Sequence, residues 1–507
     1  MTPGNPRKQV FRIGALALAV ALLGGCDDAE QAKQDSATRH YGEIAFEPCT
    51  LASGAGTNNV QAQCATFEVP EDRANPEARK IRLNLAWLPA TDEGAATDDP
   101  VFFLAGGPGQ SAVQVWPVID GAFGQIRRQR HVVLVDQRGT GGSNLLACEP
   151  TEEESAAQAG PADAEALAAF ARRCAKEVAG RADTRFYTTT DAIADLDAVR
   201  EAIGAQKINL VGGSYGTRVA QQYAKRYPQH VRSIVLDGVA PNDLVVGGEF
   251  ARTFEDALAL QSAQCRELPA CAQRFPQDAR AQLGSLVERL RAGPAQVEYR
   301  DPSTGEMRTG TVNAQTVTSL AFLFSYMPQT AALLPLVLDE ASHGRYASLM
   351  SLYELMGRNT AGSMARGMQW SVICAEDADR HQDASAEGTL LGPDVARMFF
   401  AACPHWPHGS RPDDSTAPLA SDLPVLLLSG ELDPVTPPRF GERVLETLPN
   451  GRHLVVRGQG HGTFGLGCMP RLLGQFMESA DAKALDASCL DTMTYVPPFT
   501  SFNGWEP

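Results

Sequence analysis

Ile208-Asn-Leu-Val-Gly-Gly-Ser-Tyr-Gly216, running on into Thr217-Arg-Val-Ala-Gln-Gln-Tyr223, is the stretch on which the reading of this chain turns. The apolar run Ile208 to Val211 reads as a short buried strand. The residues from Tyr215 to about Tyr227 read as a helix closed by Pro228. Between them, Gly212-Gly213-Ser214-Tyr215-Gly216 fits G-x-S-x-G. A strand that turns straight into a helix needs a bend so tight that glycines must flank it. Such a bend lifts the serine hydroxyl to the end of the sheet, over the start of the helix. The pattern alone is weak evidence, and its place between strand and helix is what gives it chemical meaning.

Outward from this point the chain alternates short apolar runs with helical patterns, which predicts an α/β fold with a mainly parallel central sheet flanked by helices. Ile81 to Trp87 alternates at period two. Val101 to Ala105 ends in Gly106-Gly107-Pro108-Gly109, and His131 to Val135 ends in Asp136-Gln137-Arg138-Gly139. A helix starts at Asp191, with Ile193, Leu196, Val199 and Ile203 on one face and Gly204 as its stop, and Val231 to Leu236 is the next strand. From 243 to 420 helical patterns dominate. The strand rhythm returns at Pro424 to Leu428, and continues through a helix around Phe440 to Leu448, the strand His453 to Val456 and a helix from about Pro470 to Ser479. One core, 45–242 and 421–507, is therefore expected, with a mostly helical cap, 243–420, inserted before its last two strands. A separate second domain is the alternative.

A serine hydroxyl becomes a nucleophile only when a base takes its proton. Of the nine histidines, His461 has the most suitable setting, in the small-residue loop Gly458-Gln459-Gly460-His461-Gly462 after a strand. His131 and His453 begin strands, and His405 and His408 lie in a proline-rich part of the cap, so all four are read as packing or surface residues. The imidazole needs an acid to hold its tautomer and stabilise its positive charge. Asp433, in Gly430-Glu431-Leu432-Asp433-Pro434-Val435-Thr436-Pro437, is preferred over Glu431 because it lies further out in the loop. The oxyanion of an acyl-transfer reaction needs backbone N–H donors, and those of Tyr215 and Gly107 are the candidates.

The order Ser214, Asp433, His461 is that of an α/β-hydrolase. Four segments, Gly106-Gly107-Pro108-Gly109-Gln110-Ser111, Asp136-Gln137-Arg138-Gly139-Thr140-Gly141-Gly142-Ser143, Gly212-Gly213-Ser214-Tyr215-Gly216-Thr217 and Asp433-Pro434-Val435-Thr436-Pro437, together resemble the prolyl aminopeptidase and tripeptidyl aminopeptidase group of that fold over about residues 45–495. The resemblance implies a serine exopeptidase that acts on peptides with free N-termini through an acyl-enzyme, with no metal or other cofactor. The group's glycine-rich loop often begins with histidine. Ala105 stands there instead, which points to the tripeptidyl branch, as does the form of the Asp433 segment. Asp136 and Arg138 are expected to brace loops. An exopeptidase of this kind must hold a protonated amine, and Glu376, at the end of the apolar run from Trp370, is the candidate anchor. A carboxylesterase or amidase with the same triad, and a catalytically silent binding lipoprotein, are the alternatives.

The N-terminus places this chemistry outside the cytoplasm. Arg7, Lys8 and Arg12 precede the uncharged apolar run Ile13 to Leu23, a secretory signal pattern too short to span a bilayer. Leu23-Gly24-Gly25-Cys26 resembles a bacterial lipobox, in which Cys26 would be acylated and so anchor the chain to a membrane. The expectation is a lipoprotein-type signal peptide over 1–25, a flexible tether over 26–44 and a cell-envelope location. If Asp27 acts as a retention signal, that location is the periplasmic side of the inner membrane. Removing 1–25 would leave 482 residues and carry the net charge from −16 to −19. An acidic chain lacks the basic footprint of a nucleic-acid binder.

Acylation of Cys26 would leave ten of the 11 cysteines, an even number suited to disulfides in an oxidising compartment. Spacing does not determine connectivity. The simplest pairing joins neighbours: Cys49–Cys64, Cys148–Cys174, Cys265–Cys271, Cys374–Cys403 and Cys468–Cys489. No C-x-x-C pair is present, and no metal site is expected.

Overall fold

Ten strands form one sheet in the order β1-β2-β3-β4-β6-β5-β7-β8-β11-β12. The strands are β1 (Arg39–Tyr41), β2 (Ile44–Ala52), β3 (Asn59–Pro70), β4 (Lys80–Leu88), β5 (Val101–Leu104), β6 (Val132–Val135), β7 (Ile208–Gly213), β8 (Val231–Asp237), β11 (Val425–Gly430) and β12 (Gly451–Val456). This is a computed structural model, and it describes residues 38–52, 58–151, 153–154, 163–360 and 364–503. The expected signal segment over 1–25, Cys26 and Asp27 lie outside the described residues.

From β6 to β12 every pairing is parallel, and β1 to β4 join this block antiparallel through β4 and β6. The sequence pattern follows the burial. Val-Phe-Phe-Leu of β5, Val-Val-Leu-Val of β6 and the whole of β11 are covered on both faces, so they read as unbroken apolar runs. Helices Ala164–Val178, Thr189–Ala202 and Tyr215–Arg226 pack one face through Phe170, Ile193, Leu196 and Val219. Helices Ala112–Ile119 and Met469–Ser479 pack the other through Trp116, Met469, Leu472 and Phe476. The helix expected from Asp191 begins at Thr189, because Thr188 and Asp191 close a capping box on its first turn.

One expectation is corrected at the N-terminal edge of the sheet. The tether expected over 26–44 does not reach 44, since Arg39–Tyr41 already pairs with β2. β2 and β3 carry few consecutive apolar residues, because each is only partly buried at the antiparallel flank of the sheet.

The stretch 243–420 does not pack as one unit. Phe254, Leu258, Leu283, Leu286, Val317, Leu320, Leu334 and Leu349 form a core of their own. A two-stranded hairpin, β9 (Ala295–Arg300) and β10 (Met307–Val312), packs on it through Tyr299 and Val312. By contrast Met368, Trp370, Ile373, Ala402 and Trp406 join the apolar cluster on the main sheet. Among the described residues, five disulfides join each cysteine to its neighbour: Cys49–Cys64, Cys148–Cys174, Cys265–Cys271, Cys374–Cys403 and Cys468–Cys489. No described helix is long and apolar enough to cross a membrane.

Candidate active site

Ser214 stands between the last residue of β7 and the first of helix Tyr215–Arg226, with φ 54° and ψ −124°. A non-glycine residue at positive φ is strained and persists only where its surroundings enforce it. Here the turn is held from both sides: Ser214 N donates to Asp237 O at 2.8 Å, and Thr217 N to Ser214 O at 2.8 Å. The flanking glycine is required by space, since a Cβ on Gly216 would stand 2.1 Å from Leu104 O. Ser214 is partly exposed, while Tyr215 and Gly216 behind it are buried.

The loops after β11 and β12 carry Asp433 and His461. Asp433, 2% exposed, has three internal donors: Val435 N at 2.9 Å and Thr436 N at 2.8 Å on Oδ1, and Thr436 Oγ1 at 2.8 Å on Oδ2. Its Oδ2 lies 2.7 Å from Nδ1 of His461, which fixes Nδ1 as the protonated nitrogen and leaves Nε2 as the free base. Burial pushes the Asp433 carboxyl up, but the His461 charge, its hydrogen bond and the Thr436 and Val435 amides outweigh burial and hold it below its ordinary value. Burial works to lower His461, while the charge and hydrogen bond of Asp433 and the charge of Asp237 raise it further than burial lowers it. The imidazole ring is next to Gly238, where a Cβ would meet His461 Cε1 at 2.9 Å. Ser214 and His461 thus converge on the Asp237–Gly238 end of β8.

The glycine-rich loop after β5 lies against the nucleophile, and a Cβ on Gly106 would be 3.0 Å from Ser214 Cβ. Gly107 adopts φ 115°, a conformation that favours glycine, before the cis bond to Pro108. Tyr215 is the first residue of its helix, so its N–H has no carbonyl one turn earlier and points out of the helix end. Asp136 braces this loop: its Oδ1 accepts from Ser111 Oγ at 2.5 Å and Val113 N at 3.1 Å, and its Oδ2 from Asn84 Nδ2 at 2.8 Å. Arg138 reaches away from the site, to Asp195 at 2.7 Å and to the carbonyls of Glu71 and Phe186. The four other histidines weighed in the sequence contact groups elsewhere, His131 with Ala90 N, His453 with Ser429, His405 with Arg172 and His408 with Gly409 O.

Glu376, the candidate amine anchor, is buried. It ends helix Arg366–Glu376 and is 7% exposed. Oε1 accepts Thr189 N at 2.7 Å, Oε2 accepts Thr189 Oγ1 at 2.9 Å, and Arg218 stands 3.9 Å away. Thr189 Oγ1 is also 2.6 Å from the Tyr215 phenol. Asp377 beside it holds Arg218 at 3.2 Å and Arg380 at 2.6 Å. Burial pushes Glu376 up to about 7 against the opposing pull of Arg218 and Thr189. Each oxygen accepts one hydrogen bond from Thr189, which ties the end of helix Arg366–Glu376 to the start of helix Thr189–Ala202.

Several contributors were not read from the sequence. Thr436 contacts both Asp433 and His461, the latter at 3.1 Å. The 243–420 stretch reaches both loops: Thr253 Oγ1 donates to Pro434 O at 2.6 Å, and His461 N donates to Tyr326 O at 2.8 Å. The Tyr326 ring meets the imidazole edge-on, with centroids 5.4 Å apart. Asp237 takes hydrogen bonds from Thr463 and Phe464, just beyond His461. A carboxylate ending the strand beside the nucleophile strand was the available signal for Asp237. Nothing in the local pattern marks Tyr326 or Thr253.

Comparison with known proteins agrees with this geometry. The chain is 26% identical over 485 residues to serine protease Hip1 of Mycobacterium tuberculosis, a match covering 88% of this chain and 91% of that protein. It is 31% identical over 188 residues to a tripeptidyl aminopeptidase of Streptomyces lividans, covering 35% of each. It is 30% identical over 327 residues to carboxylesterase B of M. tuberculosis, covering 60% of this chain and 61% of that one. The family model described as alpha/beta hydrolase fold matches residues 99–467. With a strained serine between strand and helix and an Asp–His pair on the following loops, this chain belongs to the alpha/beta hydrolase fold family.

Proposed function

We propose that this protein is an exported serine peptidase that cleaves peptides from a free N-terminus. The observation that carries the reading is the 2.7 Å contact between Asp433 Oδ2 and His461 Nδ1, with the imidazole beside Gly238 and the strained Ser214 bonded to the neighbouring Asp237 carbonyl. Ser214 Oγ attacks the carbonyl carbon, and His461 Nε2 takes its proton. The oxyanion that forms is met by the N–H groups of Tyr215 and Gly107. His461 returns the proton to the leaving amine, which departs and leaves an acyl-serine. Water, activated by the same imidazole, releases the acyl group and restores Ser214. Throughout, Asp433 orients His461 and balances its transient positive charge.

The names serine protease and tripeptidyl aminopeptidase among the relatives support a peptide substrate. Selection for a free amine does not rest on Glu376 in this reading, because its oxygens are engaged by Thr189. Acylation of Cys26 would tether the enzyme to a membrane on the exported side, and the five disulfides suit that compartment. The expected result of the test is cleavage of unblocked tripeptidyl- or prolyl-anilides, loss of cleavage on N-blocking, and loss in Ser214→Ala. No cleavage of any unblocked anilide by the purified protein refutes the reading. For the anchor, detergent-phase partitioning should be lost in Cys26→Ala.

The match to carboxylesterase B favours one second reading, an esterase with the same triad. An enzyme that hydrolyses short-chain esters and ignores whether a peptide is blocked would establish it.

A further inference from the structure

We propose that Asp237 is a positioning residue of this hydrolase, which ties the loop of His461 to the turn of Ser214 and presents a second negative charge to the imidazole. The proposal rests on the serine-hydrolase reading above.

Asp237 ends β8 and is 1% exposed. Its main-chain carbonyl accepts from Ser214 N at 2.8 Å. Its side chain accepts from Thr463 N at 2.6 Å and Phe464 N at 2.9 Å on Oδ2, and from Thr463 Oγ1 at 2.9 Å on Oδ1. One residue therefore holds the nucleophile through its backbone and the two residues just past His461 through its carboxylate. Phe464 continues the link, since its ring lies 3.4 Å from where a Cβ on Gly213 would stand and 6.3 Å from Phe103.

The pinning alone does not require a charge, because an amide oxygen accepts two backbone N–H bonds as well. A carboxylate with so little water and no nearby cation is costly to bury. Among the described residues Asp237 has no Lys or Arg partner within ion-pair distance, and the cationic group that faces it is His461 when protonated. Burial pushes Asp237 up to about 6, while Thr463, the His461 charge and the Phe464 amide pull it down. Asp237 in turn raises His461, after the larger contribution of Asp433. The other groups around the imidazole are Asp433 on Nδ1, the hydroxyl of Thr436 and the Tyr326 ring. The imidazolium that forms as Ser214 attacks then has Asp433 bonded to its Nδ1, and Asp237 next to Gly238, the residue its ring packs against. Their charges add at short range in a site with little water.

The test uses Asp237→Asn in the full chain. An asparagine keeps the shape, with its oxygen toward the Thr463 and Phe464 amides and its NH2 toward the Thr463 hydroxyl, and it removes the charge. The probe is a fluorophosphonate, which reports Ser214 reactivity without knowledge of the natural substrate, and its labelling rate is followed from pH 4 to 9. With the negative charge gone, His461 holds its proton less tightly. The acid limb should move to lower pH by about half a unit to one unit, and the plateau rate should fall roughly three- to tenfold. A folded Asp237→Asn protein with the wild-type acid limb overturns the proposal, because a purely structural asparagine would leave that limb in place. If Asp237→Asn fails to fold, Thr463→Val carries the test. It removes one tether and keeps the charge, so the plateau should fall with the acid limb nearly fixed, and an unchanged plateau overturns the proposal. A wild-type protein that the probe does not label at Ser214 refutes the serine-hydrolase reading itself, which is a separate outcome.

Discussion

Thr436 Oγ1 lies 3.1 Å from His461 Nδ1, the nitrogen that also stands 2.7 Å from Asp433 Oδ2. The same hydroxyl donates to that Asp433 oxygen at 2.8 Å, so its lone pairs face the imidazole N–H. Acid, hydroxyl and base form a closed triangle, and the Nδ1 proton is shared between two acceptors. This arrangement holds the ring plane more firmly than a single contact does.

Thr436→Val keeps the shape of the side chain and removes the hydroxyl. A hydrogen bond to a charged group contributes about 1.5–3 kcal/mol, so kcat should fall roughly 10- to 100-fold. KM should change little, because Thr436 reaches the substrate only through Asp433 and His461. Steady-state kinetics on an unblocked anilide check both.

In the proposed mechanism the acid limb of the pH profile belongs to His461, which acts as base only when neutral. Its pKa is raised from an ordinary 6.5, chiefly by Asp433 against burial, so the limb of kcat/KM should have its midpoint above 6.5. The two partners have opposite signs in stability. The contribution of His461 is fully present below its unfolded pKa and is lost as pH rises through its folded value. That of Asp433 is present above its unfolded value and is lost as pH falls through its folded one. Asp433→Asn should therefore lower the midpoint of the acid limb, read from kcat/KM between pH 4 and 9.

Glu376→Gln tests whether that carboxylate is a brace. The amide can accept from Thr189 N and donate to Thr189 Oγ1, so the variant should fold and keep its preference for free amines. Glu376 is raised from 4.5 to about 7, so between those values the folded protein holds a proton that the unfolded chain has released. Its contribution to stability therefore declines as pH rises through that window. Thermal melts from pH 4 to 8 should show the variant gaining on the wild type as pH rises. Loss of free-amine preference would restore Glu376 as an anchor.

The Cys374–Cys403 bond closes a 29-residue separation between helix Arg366–Glu376 and the turn before Trp406. Chain entropy puts the stabilisation from a loop of that length at roughly 3–4 kcal/mol. Replacing both cysteines by alanine should lower the urea midpoint accordingly, measured against the wild type in oxidising buffer.

The parallel strands were legible because burial on both faces forces an apolar run, as in Val-Leu-Leu-Leu of β11. β1, β2 and β3 were not, since Asn59–Pro70 leaves much of its length half-exposed and keeps Gln, Thr and Glu among its apolar residues. The hairpin β9–β10 was hidden for the same reason. At the site, Ser214, Asp433 and His461 sit on loops directly after strands, where a short pattern marks them. The roles of Tyr326 and Thr253 come from cap residues folded back onto loops more than a hundred positions further along.

The sequence by itself determined the strand–serine–helix turn, because the contacts that demand its glycines are set by the local backbone and by the strand beside it. It also carried the order Ser214, Asp433, His461 along the chain, while the disulfide pairing was only the simplest of many that the sequence allows. Only the tertiary structure decided what the carboxylates do. Glu376 is read locally as the end of an apolar run beside a cysteine, yet packing against Thr189 and Arg218 buries and occupies it. Asp237 is read locally as a strand end, yet the fold brings Thr463 and Phe464 onto it from 226 and 227 positions away. The protonation and partners of a carboxylate depend on how much water and which donors surround it, and those are set by elements that meet only when the chain has folded.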